Sequence, residues 1–328
     1  MKIIVDAFGG DNAPLEIIKG SIDAHNEFGY DILLTGDENK IRACAAENNL
    51  DISAMEIAHT EDVISMHDSP LSIMREHKDS SLGLGMQLLA EGKGDGFVTA
   101  GSTGAYVLAA HKMIGEIPGV KKAGTAAVMP NDEGRFLMMD CGANLTCTPE
   151  ILNQFAVMGI AYMKNVFGVE NPRVALANIG VEESKGTQVL RDTYKLMQEQ
   201  DYNFVGNIEV RDIPFGGADV VICEGFTGNV ILKMYEGVAG ALLKNIKGIF
   251  TASLKTKIAY LLISSNMKGF KKKMDYKAYG GAPLMGIAKP VAKAHGSSDA
   301  KAFKYAIKQI ADYADSGAID VIAKAVKE

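Results

Sequence analysis

An α/β fold built on a mostly parallel sheet is what this sequence predicts, and three observations carry the prediction. Short apolar runs rich in β-branched residues alternate with longer stretches of helical periodicity. Several short runs are apolar almost throughout, as expected of strands covered by helices on both faces, which makes three layers. Glycine-rich turns with small polar residues recur where the runs end.

Taken in order, the first strand is Lys2–Ala7 and the first helix Leu15–Phe28. A strand at Asp31–Leu34 follows, and later Gly96–Thr99 leads into a helix over Ala105–Ile114. Arg135–Met139 precedes a helix over Pro149–Phe167, and Arg173–Asn178 and Asp219–Cys223 are two further strands. The last helix is announced by Ser297-Ser298-Asp299 as a cap, with Phe303, Ile307, Ile310 and Ala314 at helical spacing. Strands separated by helices call for right-handed crossovers and parallel pairing. No internal repeat and no Pro-, Gly- or Ser-rich linker divides the chain, so residues 1–328 are expected to form one domain. One composition shift, at about residues 244–277, mixes lysines with bulky apolar residues and is expected to be a helical tip on that domain.

Composition excludes several function classes. With 47% hydrophobic residues in 328, the chain can bury a large core. A formal charge of −6 argues against general affinity for nucleic acid, which needs clustered positive charge. Cys44, Cys141, Cys147 and Cys223 form no Cys-x-x-Cys pair, and His59, His67 and His77 show no metal-ligand spacing. The opening Met1-Lys2-Ile3-Ile4-Val5-Asp6 reads as a strand and not as a signal peptide, and Ile258–Ile263 is too short to span a bilayer. A reducing cytoplasm is the expected compartment.

The glycines carry the functional signal. Six clusters join Gly with small polar residues: Gly9-Gly10-Asp11-Asn12, Gly101-Ser102-Thr103-Gly104, Cys141-Gly142-Ala143-Asn144, Asn178 to Thr187, Glu224-Gly225-Phe226-Thr227-Gly228-Asn229, and Tyr279-Gly280-Gly281-Ala282-Pro283. Glycine lets backbone N–H groups approach a ligand, and a following helix N-terminus favours an anion. Several such turns at one sheet edge would form a cleft for a phosphate-bearing ligand. Any one cluster alone simply ends a strand. Nucleotide motifs fail: Gly83-Leu84-Gly85 lacks the third glycine of a dinucleotide fingerprint, and Gly180 to Thr187 reverses the Lys and Gly of a P-loop. A rival reading takes Ala100-Gly101-Ser102-Thr103-Gly104 as the nucleophile elbow of a serine hydrolase or thioesterase, with His295 downstream as its base.

Read as an ordered set, these turns resemble the bacterial phosphate acyltransferase family PlsX. The match runs through Val5-Asp6-Ala7-Phe8-Gly9-Gly10-Asp11, Thr99 to Ala105, Asp140-Cys141-Gly142-Ala143-Asn144, Asn178 to Thr187, Cys223 to Val230, Tyr279 to Leu284 and His295-Gly296-Ser297-Ser298. Phe8 stands where Met is usual in the family, and Cys141 where Val or Ser is common. The resemblance implies reversible transfer of a long-chain acyl group from acyl carrier protein to inorganic phosphate. The acyl phosphate would feed a membrane acylphosphate:glycerol-3-phosphate acyltransferase in phospholipid synthesis. It also implies a fold like the isocitrate and isopropylmalate dehydrogenases and phosphotransacetylases, a homodimer, no cofactor and no metal. A phosphotransacetylase acting on a small acyl thioester is a neighbouring alternative.

Phosphate dianion is itself a competent nucleophile, so positioning and preorganised donors are the chemistry required. The expected site places phosphate on the Gly101–Gly104 turn, with Ser102 and Thr103 as hydroxyl donors and Lys185 as countercharge. Asn144 and Asn229 are expected donors to phosphate or the thioester carbonyl, and Asp6, Asp11 and Glu182 orient these groups or handle protons. The plainer readings are caps at Asp11 and Ser102, a turn at Asn144, and a Lys185–Glu182 pair. In the tip, Ile246, Ile249, Phe250, Leu254, Ile258, Leu261 and Leu262 recur at spacings of three and four, bordered by lysines. Shallow insertion of this face into an anionic membrane, on the inner side of the cell membrane, is expected, with Leu254, Ile258, Leu261 and Leu262 in contact. The same lysines are an alternative landing surface for the acidic carrier protein.

Overall fold

The computed structural model describes residues 1–273 and 280–326. Residues 274–277 of the expected tip, and Tyr279 of the last glycine cluster, lie outside the described residues. Eleven strands pair into one sheet: β1 Lys2–Asp6, β2 Asp31–Gly36, β3 Glu56–His59, β4 Gly96–Thr99, β5 Gly124–Asn131, β6 Gly134–Met139, β7 Val174–Asn178, β8 Phe204–Glu209, β9 Val220–Ile222, β10 Ala282–Met285 and β11 Val291–Lys293. The helices are α1 Leu15–Phe28, α2 Glu38–Glu47, α3 Ser81–Ala90, α4 Thr103–Ala109, α5 Pro149–Phe167, α6 Gln188–Gln198, α7 Gly225–Thr251, α8 Leu254–Leu262, α9 Ser264–Lys273, α10 Ala300–Asp315 and α11 Ala318–Ala325. The predicted bounds of α1, β4 and α5 are met. The last helix starts at the expected cap, where Asp299 accepts from the N–H of Ala302 at 2.9 Å.

Sheet order is β3-β2-β1-β4-β11-β10-β5-β6-β9-β7-β8. Seven pairings are parallel: β1–β2, β1–β4, β2–β3, β4–β11, β6–β9, β7–β9 and β7–β8. Three are antiparallel and lie together at the centre: β11–β10, β10–β5 and β5–β6. An odd number of reversals turns the two outer parallel blocks against each other. The carboxyl ends of β1, β4 and β11 therefore sit at one edge of the sheet, and those of β6, β9 and β7 at the opposite edge. This corrects the expectation that the glycine turns gather at a single edge.

Strand alternation distributes the core. Ile3, Val5, Val98, Val128, Leu137 and Leu176 point to one face, where a single apolar cluster runs under α1, α5 and α10. The other face carries two clusters. Ile4, Phe97 and Val291 pack with α3 and α4, and Met129, Phe136 and Val221 pack under α7. Between these two clusters, over the antiparallel centre, the second face is left uncovered by helix. Burial of both faces accounts for the almost wholly apolar strands.

The expected stripe from Ile246 to Leu262 is not one helix face. α7 runs to Thr251, and the chain restarts at α8 after Ser253, which forms a reciprocal capping box with Thr256. No residue of α8 is buried.

Candidate active site

At the first edge, Asp6 ends β1 on the face packed by α3 and α4 and is buried. Its carboxylate accepts from Thr99 Oγ1 at 2.7 Å and from the N–H of Phe8 at 3.2 Å. Thr99 Oγ1 in turn accepts from the N–H of Gly101 at 2.9 Å. Asp6 thus holds the Gly101 turn through one hydroxyl. Burial pushes its carboxyl up, against the hydrogen bonds that favour the charged form. Gly9 closes over this chain: a Cβ there would lie 2.6 Å from Asp6 Oδ2 and 2.7 Å from the Gly101 nitrogen. The N–H of Asp11 donates to the Gly296 carbonyl at 2.8 Å, tying the first loop to the His295–Ser298 segment.

Ser102 is buried and stands at the N-cap position of α4, but its hydroxyl caps no N–H there. Asp11 likewise caps no helix, because α1 begins only after Pro14. Neither residue therefore has the plain capping role. The hydrolase arrangement is not assembled. His295 Nδ1 is 2.8 Å from Ser297 Oγ and also accepts from the N–H of Ser297, and among the described residues no hydrogen bond links it to Ser102.

At the opposite edge Asp140 is completely buried. Its oxygens accept from the N–H groups of Thr125 (2.9 Å), Gly142 (3.1 Å), Ala143 (3.0 Å) and Asn144 (2.7 Å), and from Asn144 Nδ2 (2.9 Å). Burial raises its pKa, and the donors of Ala143, Asn144 and Thr125 oppose the rise. Asn144 Nδ2 also donates to the Ala123 carbonyl at 2.7 Å. Both of its amide hydrogens are thereby committed to the loop, so Asn144 positions Asp140 and is not the expected donor to phosphate or thioester. The first turn of α7 lies on this loop. The N–H of Gly225 donates to the Asn144 carbonyl at 2.7 Å, and Glu224 caps the helix through the N–H of Thr227 at 3.0 Å. Asn229, one residue after the tightly packed Gly228, sits beside Gly142 with no side-chain hydrogen bond among the described residues.

Lys185 and Glu182 belong to the exposed loop after β7. Asn178 Nδ2 donates to the Lys185 carbonyl at 3.3 Å, and Asn207 Nδ2 to the Glu182 carbonyl at 3.0 Å. Among the described residues the two side chains form no ion pair with each other. β7 is six strands from β4, roughly 29 Å at the usual spacing, and at the opposite edge. Within one chain that spacing sets Lys185 apart from the Gly101–Gly104 turn, and its side chain does not line the cleft that Thr103 reaches. It shares its edge with Asn229, since β7 neighbours β9 and β9 leads into α7.

A cleft of about 430 Å³ occupies the uncovered face between α4 and α7. Thr103 reaches it from one edge and Asn229 from the other, because β10 between them is only four residues, about 13 Å long. Lys233 and Glu236, one and two turns along α7, enter the same cleft, as do Lys293 at the end of β11 and His295. Gly280 and Gly281 bring backbone to its wall. Burial lowers the Lys293 pKa, the neighbouring Lys233 ammonium lowers it further, and Asp11 opposes both. Lys233 and Lys293 were not singled out by sequence. Lys233 stands four residues after Asn229, and that spacing was the available signal.

Fold and cleft together define an α/β protein with a polar cleft where Lys233, Lys293, Glu236, Thr103 and Asn229 converge. Kinship narrows the class. A family model described as "Fatty acid synthesis protein" matches residues 1–321. A phosphate acyltransferase of Acetivibrio thermocellus is 44% identical over 323 residues, covering 98% of this chain and 95% of the relative. One of Clostridium novyi is 42% identical over 329 residues, covering 100% and 99%. Among solved structures, the EutD phosphotransacetylase of Staphylococcus aureus superposes with a TM-score of 0.62 at 18% identity, covering 96% of this chain and 94% of that one. A phosphotransacetylase of Streptococcus pyogenes gives 0.62 at 17%, covering 100% and 94%. The chain belongs to the phosphate acyltransferase family and is an acyltransferase enzyme.

Proposed function

We propose that this enzyme transfers a long-chain acyl group from acyl carrier protein to inorganic phosphate, giving an acyl phosphate for phospholipid synthesis. The observation that carries this reading is the cleft, in which Thr103 of α4 and Lys293 of β11 meet Asn229 and Lys233 of α7. Hydrogen phosphate sits against the two ammonium groups and the Gly101–Gly104 turn, with Thr103 and Ser102 as hydroxyl donors. Asn229 Nδ2 donates to the thioester oxygen as it becomes an oxyanion. A phosphate oxygen attacks the carbonyl carbon, the C–S bond breaks, and the proton of hydrogen phosphate ends on the departing sulfur. Asp6 and Asp140 are positioning residues, each bound to the turn that presents the reacting groups. Asp11 sets the charge balance at Lys293. Lys185 and Glu182 act at the rim of the Asn229 edge, where the carrier protein brings its thioester.

The dehydrogenase-like arrangement, the homodimer and the membrane tip belong to the same reading. Phe226, Val230, Met234 and Val238 are exposed along one side of α7 at four-residue spacing, a face suited to a second copy. Leu254, Ile258, Leu261 and Leu262 are exposed on α8, by as much as 81% at Leu262, and suit an anionic membrane surface. No helix among the described residues is long and apolar enough to cross a membrane, so the contact is peripheral. It would deliver product on the cytoplasmic face to a membrane acylphosphate:glycerol-3-phosphate acyltransferase.

The test is release of carrier-protein thiol from palmitoyl-acyl carrier protein, with and without phosphate, with hydroxylamine trapping. Phosphate-dependent release with a trappable acyl phosphate supports the reading. Release indifferent to phosphate would hand the site to Ser102 hydrolysis.

A further inference from the structure

Beyond the sheet, the end of α7 together with α8 and α9 encloses a second cavity of about 640 Å³. Ile246, Phe250 and Met267 are half-buried in its wall, while Lys244, Lys247 and Lys257 are exposed around it. Residues 237–273 contain lysines at 244, 247, 255, 257, 268, 271, 272 and 273 and no aspartate or glutamate, in a chain of formal charge −6. Two chemistries therefore meet at one place. A soluble anion would leave the apolar wall wet, and a neutral chain would leave the ammonium groups unmatched. A single-chain amphiphile with a phosphate head satisfies both. On α8, Lys257, Tyr260 and Leu261 line the cavity, whereas Leu254, Ile258 and Leu262 do not.

We propose that this cavity is a holding site for the long-chain acyl phosphate the enzyme makes. The tail lies on Ile246, Phe250 and Met267, and the phosphate lies against Lys247 and Lys257. The assignment rests on the acyl-transfer reading above. Each methylene withdrawn from water adds to the binding, so a long chain is retained at the tip where a short acyl group is not.

The chain contains no tryptophan, so Tyr260→Trp places a sole indole at the cavity. The probe is dodecyl phosphate below its micelle concentration, a stable alkyl stand-in for acyl phosphate. A saturable blue shift is expected, weakened about tenfold when Lys247→Gln and Lys257→Gln are added, the scale of losing two partly exposed ion pairs. Butyl phosphate should give no saturable response. An indole that answers dodecanol as well as dodecyl phosphate, or only vesicles of anionic phospholipid, would overturn the proposal. So would a response indifferent to the two lysines. Far-UV circular dichroism and phosphate-dependent thiol release are measured on the same preparations. Intact release with a silent indole defeats the cavity assignment and leaves the reaction standing. Saturable binding without phosphate-dependent release removes the product from the cavity and also overturns the assignment.

Discussion

Two glycines in α7 should respond to alanine with opposite signs. A Cβ at Gly228 would overlap the carbonyl oxygen of Asp140 and lie 2.9 Å from both the Asp140 carbonyl carbon and Cys223 Sγ. Ordinary C···O contacts begin near 3.3 Å, so the first turn of α7 has to retreat by about 1 Å or more. That displacement breaks the Gly225–Asn144 hydrogen bond and loosens the Glu224 cap. Overpacking costs about 1–3 kcal/mol, the cap about 1 and the hydrogen bond about 1, a sum near 3–5 kcal/mol. Asn229 moves with the turn, and a misplacement of that size lowers turnover on the order of a hundredfold. Gly240, three turns further along, has nothing within 4 Å of the position a Cβ would take. There Gly→Ala should stabilise by roughly 0.5–1 kcal/mol through helix propensity, with turnover unchanged. Urea denaturation followed by circular dichroism, beside phosphate-dependent thiol release, measures both variants. If Gly228→Ala matched Gly240→Ala in stability and kept wild-type turnover, the close seating of α7 on the Asp140 loop would be refuted.

If Lys293 holds phosphate as proposed, it does so only while protonated, and burial and Lys233 depress its pKa, so phosphate KM should climb with pH from below the ordinary lysine range. Lys293→Met should abolish that alkaline limb, and Lys233→Met should move it to higher pH; a limb unmoved in both variants sinks the paired-ammonium site. Lys185→Met should leave phosphate KM within about twofold, yet lower kcat/KM for acyl carrier protein about fivefold in low salt, the scale of one exposed ion pair. A rise confined to phosphate KM would contradict the strand separation. Leu254→Glu with Leu262→Glu should abolish flotation with anionic liposomes while thiol release continues, and undiminished flotation would remove α8 from the membrane.

Periodicity alone determined most of the outer framework, because a strand covered on both faces or a helix with one buried stripe writes its pattern locally. Leu15–Phe28, Gly96–Thr99 and Pro149–Phe167 needed no partner to be read. The ordered glycine turns also determined the family, since each carries a backbone requirement at its own position. The short central strands β10 and β11, of four and three residues, are too brief for a period, and one begins Ala282-Pro283. β10 is reversed against both β11 and β5, so its two reversals cancel, and the β5–β6 hairpin decides which turns share an edge. For that reason Lys185 and Gly101–Gly104 look alike in sequence and lie at opposite edges of the sheet. Asn144 and Asn229 likewise have the same chemistry on paper. Only packing turned one amide inward onto Asp140 and left the other open to a cleft that Lys233 of α7 and Lys293 of β11 also line.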